Sequence, residues 1–186
     1  KKDLIELRNA KTKDIPKIEA LVKKVYPTLP PYTKEMIRAQ ISNYPDGCFV
    51  VFLGEQLVAY SASLLMTEDK ALKEHTWEQM TANGYGLTHK SDGEYLYGYE
   101  TCVDPEIRGK RIGQRIYNAR KALVKFEKLK GIIFGGRIPG FAKKRKKVKD
   151  VQDYIEQVKN KNIKDSTLGF HLRNGFDVIG ILPAYL

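Results

Sequence analysis

The segment CVDPEIRGKRIG, at residues 102–113, contains the strongest functional signal in this chain and runs directly into a helical pattern. It consists of the end of an apolar strand, a proline-marked turn, a basic loop and a helix start. The first turn of a helix has unpaired backbone N–H groups and the positive end of the helix dipole, so it stabilises a phosphate. The segment therefore predicts an anion-binding site.

Three cationic side chains in the loop strengthen that prediction: Arg108, Lys110 and Arg111. Gly109 and Gly113 let the backbone approach a ligand closely. The loop fits neither a Walker A motif nor a dinucleotide fingerprint, because no Gly-Lys-Ser/Thr and no G-x-G-x-x-G occurs at the required spacing. The alternative interpretation is a solvated basic turn before an ordinary helix.

Composition limits the class of protein. The chain has 186 residues, of which 42% are hydrophobic and 30% charged, and a formal net charge of +11. These values predict one globular domain that favours anionic partners. Nucleic acid ranks last among such partners, because no nucleic-acid-binding motif is visible apart from a basic run at residues 143–149.

Metal, membrane and export signals are missing from the sequence. No apolar run approaches the length of a membrane span and no signal peptide opens the chain, so we expect a cytoplasmic protein. Cys48 and Cys102 lie in apolar strand patterns, as expected for buried intracellular thiols. With scattered histidines and no cysteine pairs, no metal site is expected.

Hydrophobic periodicity predicts the element order β-α-α-β-β-β-α-β-α-β, an α/β fold with a mixed sheet. The last strand is expected at residues 176–182, after a helix that ends at Gly175. A polar excursion occupies residues 66–94, and a connection of that length usually has a function.

A second motif makes the interpretation specific. FHLRNGF, at residues 170–176, resembles the F-Y-x-x-x-G-F segment of the GNAT superfamily of N-acetyltransferases. Residues 108–113 resemble that family's acetyl-CoA pyrophosphate loop, R-x-x-G-x-G/A. The element order is also that of the GNAT fold, so residues 1–186 are expected to form a single GNAT-type domain.

A narrower resemblance is to the GNAT domain that is fused ahead of a carbon–nitrogen hydrolase (nitrilase-like) domain. It rests on four strings: TW at 76–77, LYGYE at 96–100, GGRIPG at 135–140 and LPAYL at 182–186. The chain is then either a stand-alone relative or an excised N-terminal domain of a longer protein. A hydrolase domain in cis is the partner that this resemblance implies.

The resemblance implies acyl transfer from acetyl-CoA to an amine acceptor, which is a small molecule or a protein. It implies that the strand ending at Cys102 and Val103 splays from its neighbour and pairs with the pantetheine arm. It further implies that the pyrophosphate is held across the loop by Arg108, Gly109, Lys110, Arg111, Ile112, Gly113 and Gln114.

Arg111 departs from the family pattern, which usually has a glycine there. If the position needs a positive φ, a non-glycine residue costs free energy; if it lies in the first helical turn, the arginine adds a useful charge. The departure, together with the missing tyrosine of the second motif, leaves open a non-catalytic acyl-CoA-binding regulatory domain.

Glu100 is the candidate general base. Strand alternation predicts that Leu96, Gly98, Glu100 and Cys102 share one face, and burial there would raise the pKa of the carboxylate towards a useful range. Two alternatives stay open: a structural carboxylate paired with an arginine, and a chain of waters that replaces a dedicated base.

His171 is the candidate general acid, since it occupies the place where the family often has tyrosine. Histidine can protonate a leaving thiolate near neutral pH, although a surface histidine is often inert. Tyr97, Tyr99 and Tyr117 are the substitutes. The candidates for the acceptor site are residues of the excursion: His75, Trp77, Glu78 and His89.

Overall fold

A computed structural model describes residues 4–30 and 32–186 of the chain. These residues divide into two compact units. One runs to Phe134 and includes Ala184–Leu186, and the other is Gly135–Pro183. No helix of the described part is both long and apolar enough to cross a membrane.

The first unit is built on a five-stranded sheet. Its strands are β1 (Ile5–Asn9), β2 (Phe49–Leu53), β3 (Gln56–Met66), β4 (Tyr95–Val103) and β5 (Gly131–Phe134). Its helices are α1 (Ile15–Val25), α2 (Lys34–Asn43), α3 (Glu68–Leu72), α4 (Trp77–Thr81) and α5 (Ile112–Phe126). The strands lie in chain order; β1 to β4 pair antiparallel and β5 pairs parallel to β4. The predicted mixed sheet is confirmed.

Helices cover both faces of this sheet. Ile18 of α1 and Ile37 of α2 are fully buried in a cluster on one face. On the other face, Ile116 of α5 packs with Val58 of β3. Each such side chain contributes about 1.5–3 kcal/mol on burial, so the apolar stripes of the helices hold the layers together.

A bulge in β4 reverses which side chains face which layer. The register with β3 skips Tyr99, which has no pairing partner there. Before the bulge, Leu96 packs with apolar residues of α5; after it, Cys102 packs with α1 and α2. The prediction that Leu96, Gly98, Glu100 and Cys102 share one face is therefore wrong, because one extra residue shifts the alternation.

The pairing of β4 with β5 stops before β4 ends. It joins Tyr95–Gly98 to Gly131–Phe134, while β4 continues to Val103. Within the described residues, no strand pairs with the later part of β4 on that side. β4 therefore extends past the last residue of β5. The splaying of the two strands that the resemblance implies stays a prediction.

The second unit is helical, with α6 (Phe141–Lys144), α7 (Val151–Lys159) and α8 (Ser166–Arg173). Tyr154 and Leu168 lie in its small apolar cluster. The N–H of Gly175 donates to the carbonyl of Leu172 at 3.1 Å, and that of Phe176 donates to His171 at 3.2 Å. Gly175 has φ +85°, so it closes α8 as the sequence predicts.

The predicted strand at residues 176–182 is wrong. The segment has no strand conformation, and its Val178 packs in the cluster of the second unit. Val178 therefore packs against side chains of the helices of this unit and not in a sheet. The basic run at 143–149 is partly ordered in short helical turns, with Arg145–Lys147 forming a 3₁₀ turn.

Candidate active site

The loop before α5 is fixed at its base by Asp104, which is buried. Its carboxylate accepts the N–H of Glu106 at 2.9 Å and the ammonium of Lys24 at 2.8 Å. Hydrogen bonding from Lys24 is the main reason that the pKa of Asp104 lies below its ordinary value. A charged carboxylate thus anchors the turn from which the loop rises.

The tip of the loop is exposed and has a left-handed backbone. Gly109 has φ +68° and Arg111 has φ +53°. The first of the two alternatives for Arg111 therefore holds: the position needs a positive φ, which costs a non-glycine residue about 1–2 kcal/mol. Strain of this kind persists at ligand-binding loops when the surroundings enforce it.

The cations of the tip are available to a ligand. Among residues 4–30 and 32–186, no ion pair engages Arg108, Lys110 or Arg111. Arg111 is the N-cap of α5 and its side chain makes no capping hydrogen bond. Ile112 is buried and fixes the helix start. Uncapped N–H groups beside free cations fit a diphosphate.

Glu100 is held by two tyrosines. Glu100 is 8% exposed, and its carboxylate accepts hydrogen bonds from the hydroxyls of Tyr26, at 2.8 Å, and of Tyr32. Burial raises the pKa of Glu100 above its ordinary value. The hydrogen bonds from the two tyrosine hydroxyls lower that pKa, but the effect of burial is larger. The predicted burial and pKa direction are found, and both oxygens have donors that orient the group.

Arg120 of α5 lies beneath the bulge. It is fully buried and donates to the main-chain carbonyls of Glu100 at 2.9 Å and Ala62 at 3.1 Å. A Cβ on Gly98 would lie 2.5 Å from its guanidinium, so this approach needs a glycine there. The alternative of a carboxylate paired with an arginine predicts an arginine next to Glu100, and Arg120 is there. Its hydrogen bond goes to the main-chain carbonyl of Glu100, however, while the carboxylate accepts hydrogen bonds from tyrosine hydroxyls.

Trp77 contacts Tyr32, one of the two tyrosines that donate to this carboxylate. Its ring stacks on Tyr32 with centroids 6.1 Å apart, and its indole N–H donates to the carbonyl of Tyr99 at 2.9 Å. Reciprocal hydrogen bonds between Thr76 and Gln79 cap α4 and hold Trp77 at the helix start. Through Trp77, α4 of the excursion is therefore linked to the tyrosine that holds Glu100.

Comparison with known proteins gives two relatives from Bacillus subtilis (strain 168). The protein named "Probable hydrolase YhcX" is 38% identical over 180 residues, which cover 97% of this chain. "Uncharacterized N-acetyltransferase YkwB" is 28% identical over 190 residues, which cover 99% of this chain. The chain spans 35% of the length of YhcX and 83% of YkwB. No family model matches the chain.

A solved structure identifies the fold. The GphF GNAT-like decarboxylase, in complex with isobutyryl-CoA, superposes with a TM-score of 0.83 over 97% of this chain and 90% of its own. Its sequence identity is 20%. The chain has the GNAT fold.

In this GNAT fold, the side chains at the end of β4 are buried or half-buried. Cys102 is 2% exposed, and burial raises the pKa of its thiol well above the ordinary value. Val103 is half-buried and packs near Ile112. The main chain of Cys102 and Val103 pairs with β3 on one side and, among the described residues, with no strand on the other. Pairing of that second side with pantetheine stays a prediction.

Gly113 and Gln114 are half-exposed in the first turn of α5. Gln114 donates to Asn118 at 3.0 Å, one turn further along. The predicted loop residues 108–114 thus lie together at one helix start. Their contact with CoA stays a prediction.

His171 lies on α8 in the second unit of the GNAT fold. Its ring is half-buried, 5.9 Å from that of Phe170 and 6.4 Å from that of Phe176. Its role as general acid stays a prediction. Among the substitutes, burial raises the pKa of Tyr99 and Tyr117.

The four excursion candidates have different environments. His75 contacts Tyr97, and Trp77 lines the site. His89 accepts the N–H of Leu65 at 2.9 Å, so it has a structural contact, and Glu78 is exposed. Sequence reasoning missed Tyr26 and Tyr32, because no motif marks them; the only available signal was the requirement that a buried carboxylate have donors.

Proposed function

We propose that this chain is an N-acyltransferase of the GNAT type, which moves an acyl group from acetyl-CoA to an amine. The observation that carries the proposal is the exposed cationic loop, left-handed at Gly109 and Arg111, which follows β4, the strand that carries buried Glu100 and extends past the end of β5. The name of YkwB and the isobutyryl-CoA bound to GphF support the same reaction class and co-substrate.

The residues present fit CoA as a co-substrate. The backbone amides and cations of residues 108–114 would hold the pyrophosphate, because they place positive charge at an uncapped helix start. The unpaired backbone near Cys102 and Val103 would pair with the pantetheine arm as an added strand does. No metal is required for this chemistry.

The reaction joins an amine nitrogen to the thioester carbonyl carbon and breaks the carbon–sulfur bond. The nitrogen gives up a proton as the new bond forms, and the leaving thiolate takes one. In the proposal Glu100 accepts the proton from the attacking nitrogen, because burial has raised the pKa of its carboxylate. Tyr26 and Tyr32 orient that carboxylate. The resemblance of residues 170–176 to the family's motif is what supports His171 as the donor to the thiolate.

A second candidate is a regulatory domain that binds acyl-CoA without turnover. Two observations favour it: the strained backbone at Arg111, and the hydrogen bonds from tyrosine hydroxyls to both carboxylate oxygens of Glu100.

A hydrolase domain in cis is the proposed partner. The name of YhcX supports it, as does the fact that this chain spans only 35% of the length of YhcX. A cytoplasmic location belongs to the same proposal.

Calorimetry with CoA tests the binding step. We expect saturable binding of CoA and acetyl-CoA near 0.15 M salt, weakened at least about tenfold by Arg108→Glu because a cation facing a phosphate becomes an anion. Arg38→Glu is the matched control, since Arg38 is an exposed arginine on α2. An absence of CoA binding contradicts the proposal.

Thiol release from acetyl-CoA across a panel of primary amines tests turnover. Release that requires an amine supports the transferase. CoA binding with no release supports the regulatory domain. RNA binding that persists at high salt without CoA binding would favour a basic nucleic-acid-binding module instead.

A further inference from the structure

Three titratable side chains form a line of hydrogen bonds next to the point where β4 and β5 separate. His75 precedes α4, Tyr97 lies on β4 and Tyr185 lies near the end of the first unit's last segment. The Nε2 of His75 is 2.6 Å from the hydroxyl of Tyr97, which is 3.0 Å from that of Tyr185. Tyr97 pairs with Ile133, one residue before the last β4–β5 pair.

The histidine end of the line is oriented by the main chain. The Nδ1 of His75 is 2.6 Å from the carbonyl oxygen of Lys73. A carbonyl only accepts, so Nδ1 carries a proton. In the neutral ring Nε2 then accepts from Tyr97, and in the imidazolium it donates to Tyr97. A backbone carbonyl thus holds His75 in the tautomer that a proton acceptor needs.

The two hydroxyls can reverse together. With neutral His75, Tyr185 donates to Tyr97 and Tyr97 donates to His75; with the imidazolium, both hydrogen bonds run the other way. Burial raises the pKa of Tyr97, so its phenol passes a proton on without becoming charged near neutral pH. Two titratable groups lie against the ring of His75: the rings of Tyr97 from β4 and of Tyr185, with centroids 5.5 Å and 5.8 Å away.

This relay is joined to the proposed site. The N–H of Trp77 donates to the carbonyl of Tyr185 at 2.8 Å, and the Trp77 ring stacks on Tyr32, which donates to Glu100. Trp77 therefore contacts both the main chain of Tyr185 and the tyrosine that donates to Glu100, so the relay and the carboxylate share one neighbouring residue. His75 is half-exposed, and its imidazolium can give the Nε2 proton to water when the hydrogen bond to Tyr97 opens, which restores the Nδ1-protonated neutral ring.

The proton balance of acyl transfer gives the relay a task. An amine acceptor is an ammonium ion near neutral pH. To form an amide it loses two protons, of which the thiolate keeps one and solvent receives the other. Glu100 handles the proton lost during bond formation, so the earlier proton of the ammonium needs a separate route.

We infer that Tyr185, Tyr97 and His75 form a proton relay that deprotonates an ammonium acceptor before attack and releases that proton to solvent from His75. The ammonium N–H proton passes to the Tyr185 oxygen as Tyr185 passes its own to Tyr97, and Tyr97 passes its own to Nε2 of His75. No redox change occurs. The inference rests on the proposed function and deepens it, since it assigns to three named side chains the route by which the first proton of the acceptor leaves.

Tyr97→Phe tests the relay, because it keeps the ring and removes the central hydroxyl. With acetyl-CoA and an alkylamine of the panel, we expect kcat/KM for the amine at pH 7 to fall about 10²-fold. Most of that loss should be recovered near pH 9.5, where the solvent supplies neutral amine. CoA affinity should stay unchanged. Tyr95→Phe is the matched control on the same strand, and it should leave kcat/KM at both pH values within about twofold.

Two further measurements distinguish a relay from a structural role. Added imidazole should restore His75→Ala at least about tenfold. The ring ¹⁵N shifts of His75 at pH 8 should show a protonated Nδ1 and an unprotonated Nε2. The opposite tautomer, or a Tyr97→Phe enzyme as active as wild type at pH 7, overturns the relay and leaves the proposed function intact. Failure of the wild type to bind CoA or to use any amine overturns both.

Discussion

Glu100 in the first unit and Asp165 in the second are both buried carboxylates that accept tyrosine hydroxyls, and the structure shifts their pKa values in opposite directions. Burial raises the pKa of Glu100, and its two tyrosines only partly offset that effect. Burial also acts to raise the pKa of Asp165, but the hydroxyl of Tyr154 at 2.6 Å and backbone donors outweigh it, so its pKa is lowered. Those backbone donors are the N–H groups of Gly140, Thr167 and Leu168.

The difference lies in the kind of donor. Asp165 is the N-cap of α8 and accepts backbone N–H groups that only a charged or strongly accepting oxygen satisfies well. Glu100 lies on a strand among apolar side chains, where hydroxyls orient it but do not fully compensate its burial. A carboxylate that completes a helix start is structural, and one that a strand carries into an apolar cluster is suited to take a proton.

The largest effect is expected from Glu100→Gln, which keeps the shape of the side chain and removes its ability to accept a proton. We expect kcat to fall about 10²–10³-fold with KM for acetyl-CoA unchanged. Steady-state thiol release measures it. Glu94→Gln, at a half-exposed glutamate paired with Lys130, is the control and should stay within about twofold. A Glu100→Gln enzyme within threefold of wild type would make Glu100 structural, like Asp165.

Asp165→Ala should give the largest loss of stability. It leaves three N–H groups and the hydroxyl of Tyr154 without their acceptor, at about 3 kcal/mol of unfolding free energy. Urea denaturation followed in the second unit measures it. Asp150→Ala, which removes the N-cap of α7 at an exposed site, should cost about 1 kcal/mol. Equal losses in the two variants would contradict the structural role of Asp165.

The parts of the fold that depend on local pattern were predictable. The loop at 102–113, the start of α5 and the stop at Gly175 follow from residue types at fixed spacing, and the structure has them. The candidate base was also predictable, because a charged residue interrupts an apolar strand. The face of the sheet on which Glu100 lies was not predictable, because the bulge at Tyr99 depends on how β4 pairs with β3, and a local sequence pattern does not show that pairing.

The rest of the site depends on contacts between distant segments. Tyr26 and Tyr32 reach Glu100 from more than sixty positions away. Tyr185 reaches Tyr97 across 88 positions. The strand predicted at 176–182 failed for the same reason: the pattern shows that Val178 is apolar, but not that it packs on helices.

The pH dependence of stability should have opposite signs for the two carboxylates. Asp165 stabilises the fold above the unfolded pKa of about 3.9, and this is lost as the pH falls through its lower folded pKa. For Glu100, whose folded pKa is raised, stability is lost as the pH rises above the unfolded value of about 4.3 towards the folded one.

Urea denaturation at a series of pH values measures both slopes. Asp165→Asn should remove part of the loss in acid, and Glu100→Gln should remove part of the loss on approaching neutral pH. Each effect amounts to about 1.4 kcal/mol for every unit by which the folded and unfolded pKa values differ. Slopes of the same sign would show that the two environments do not differ as described.

The smallest effect is expected at the loop. Arg111→Gly removes the left-handed strain and should raise the unfolding free energy by up to about 1 kcal/mol. The same change removes one cation and should weaken CoA binding no more than about fivefold. Arg111→Ala is the matched control, because it loses the charge and keeps the strain. Equal stability of the glycine and alanine variants would show that the strain is absent.

Carboxyl ¹³C NMR of the intact chain tests the contrast between the two carboxylates most directly. Glu100→Gln and Asp165→Asn assign the two signals, and a pH titration then measures both groups in one sample. The account predicts that Glu100 titrates above the ordinary glutamate value of about 4.3 and Asp165 below the ordinary aspartate value of about 3.9. A Glu100 midpoint at or below its ordinary value would contradict the assignment of Glu100 as the proton-accepting carboxylate.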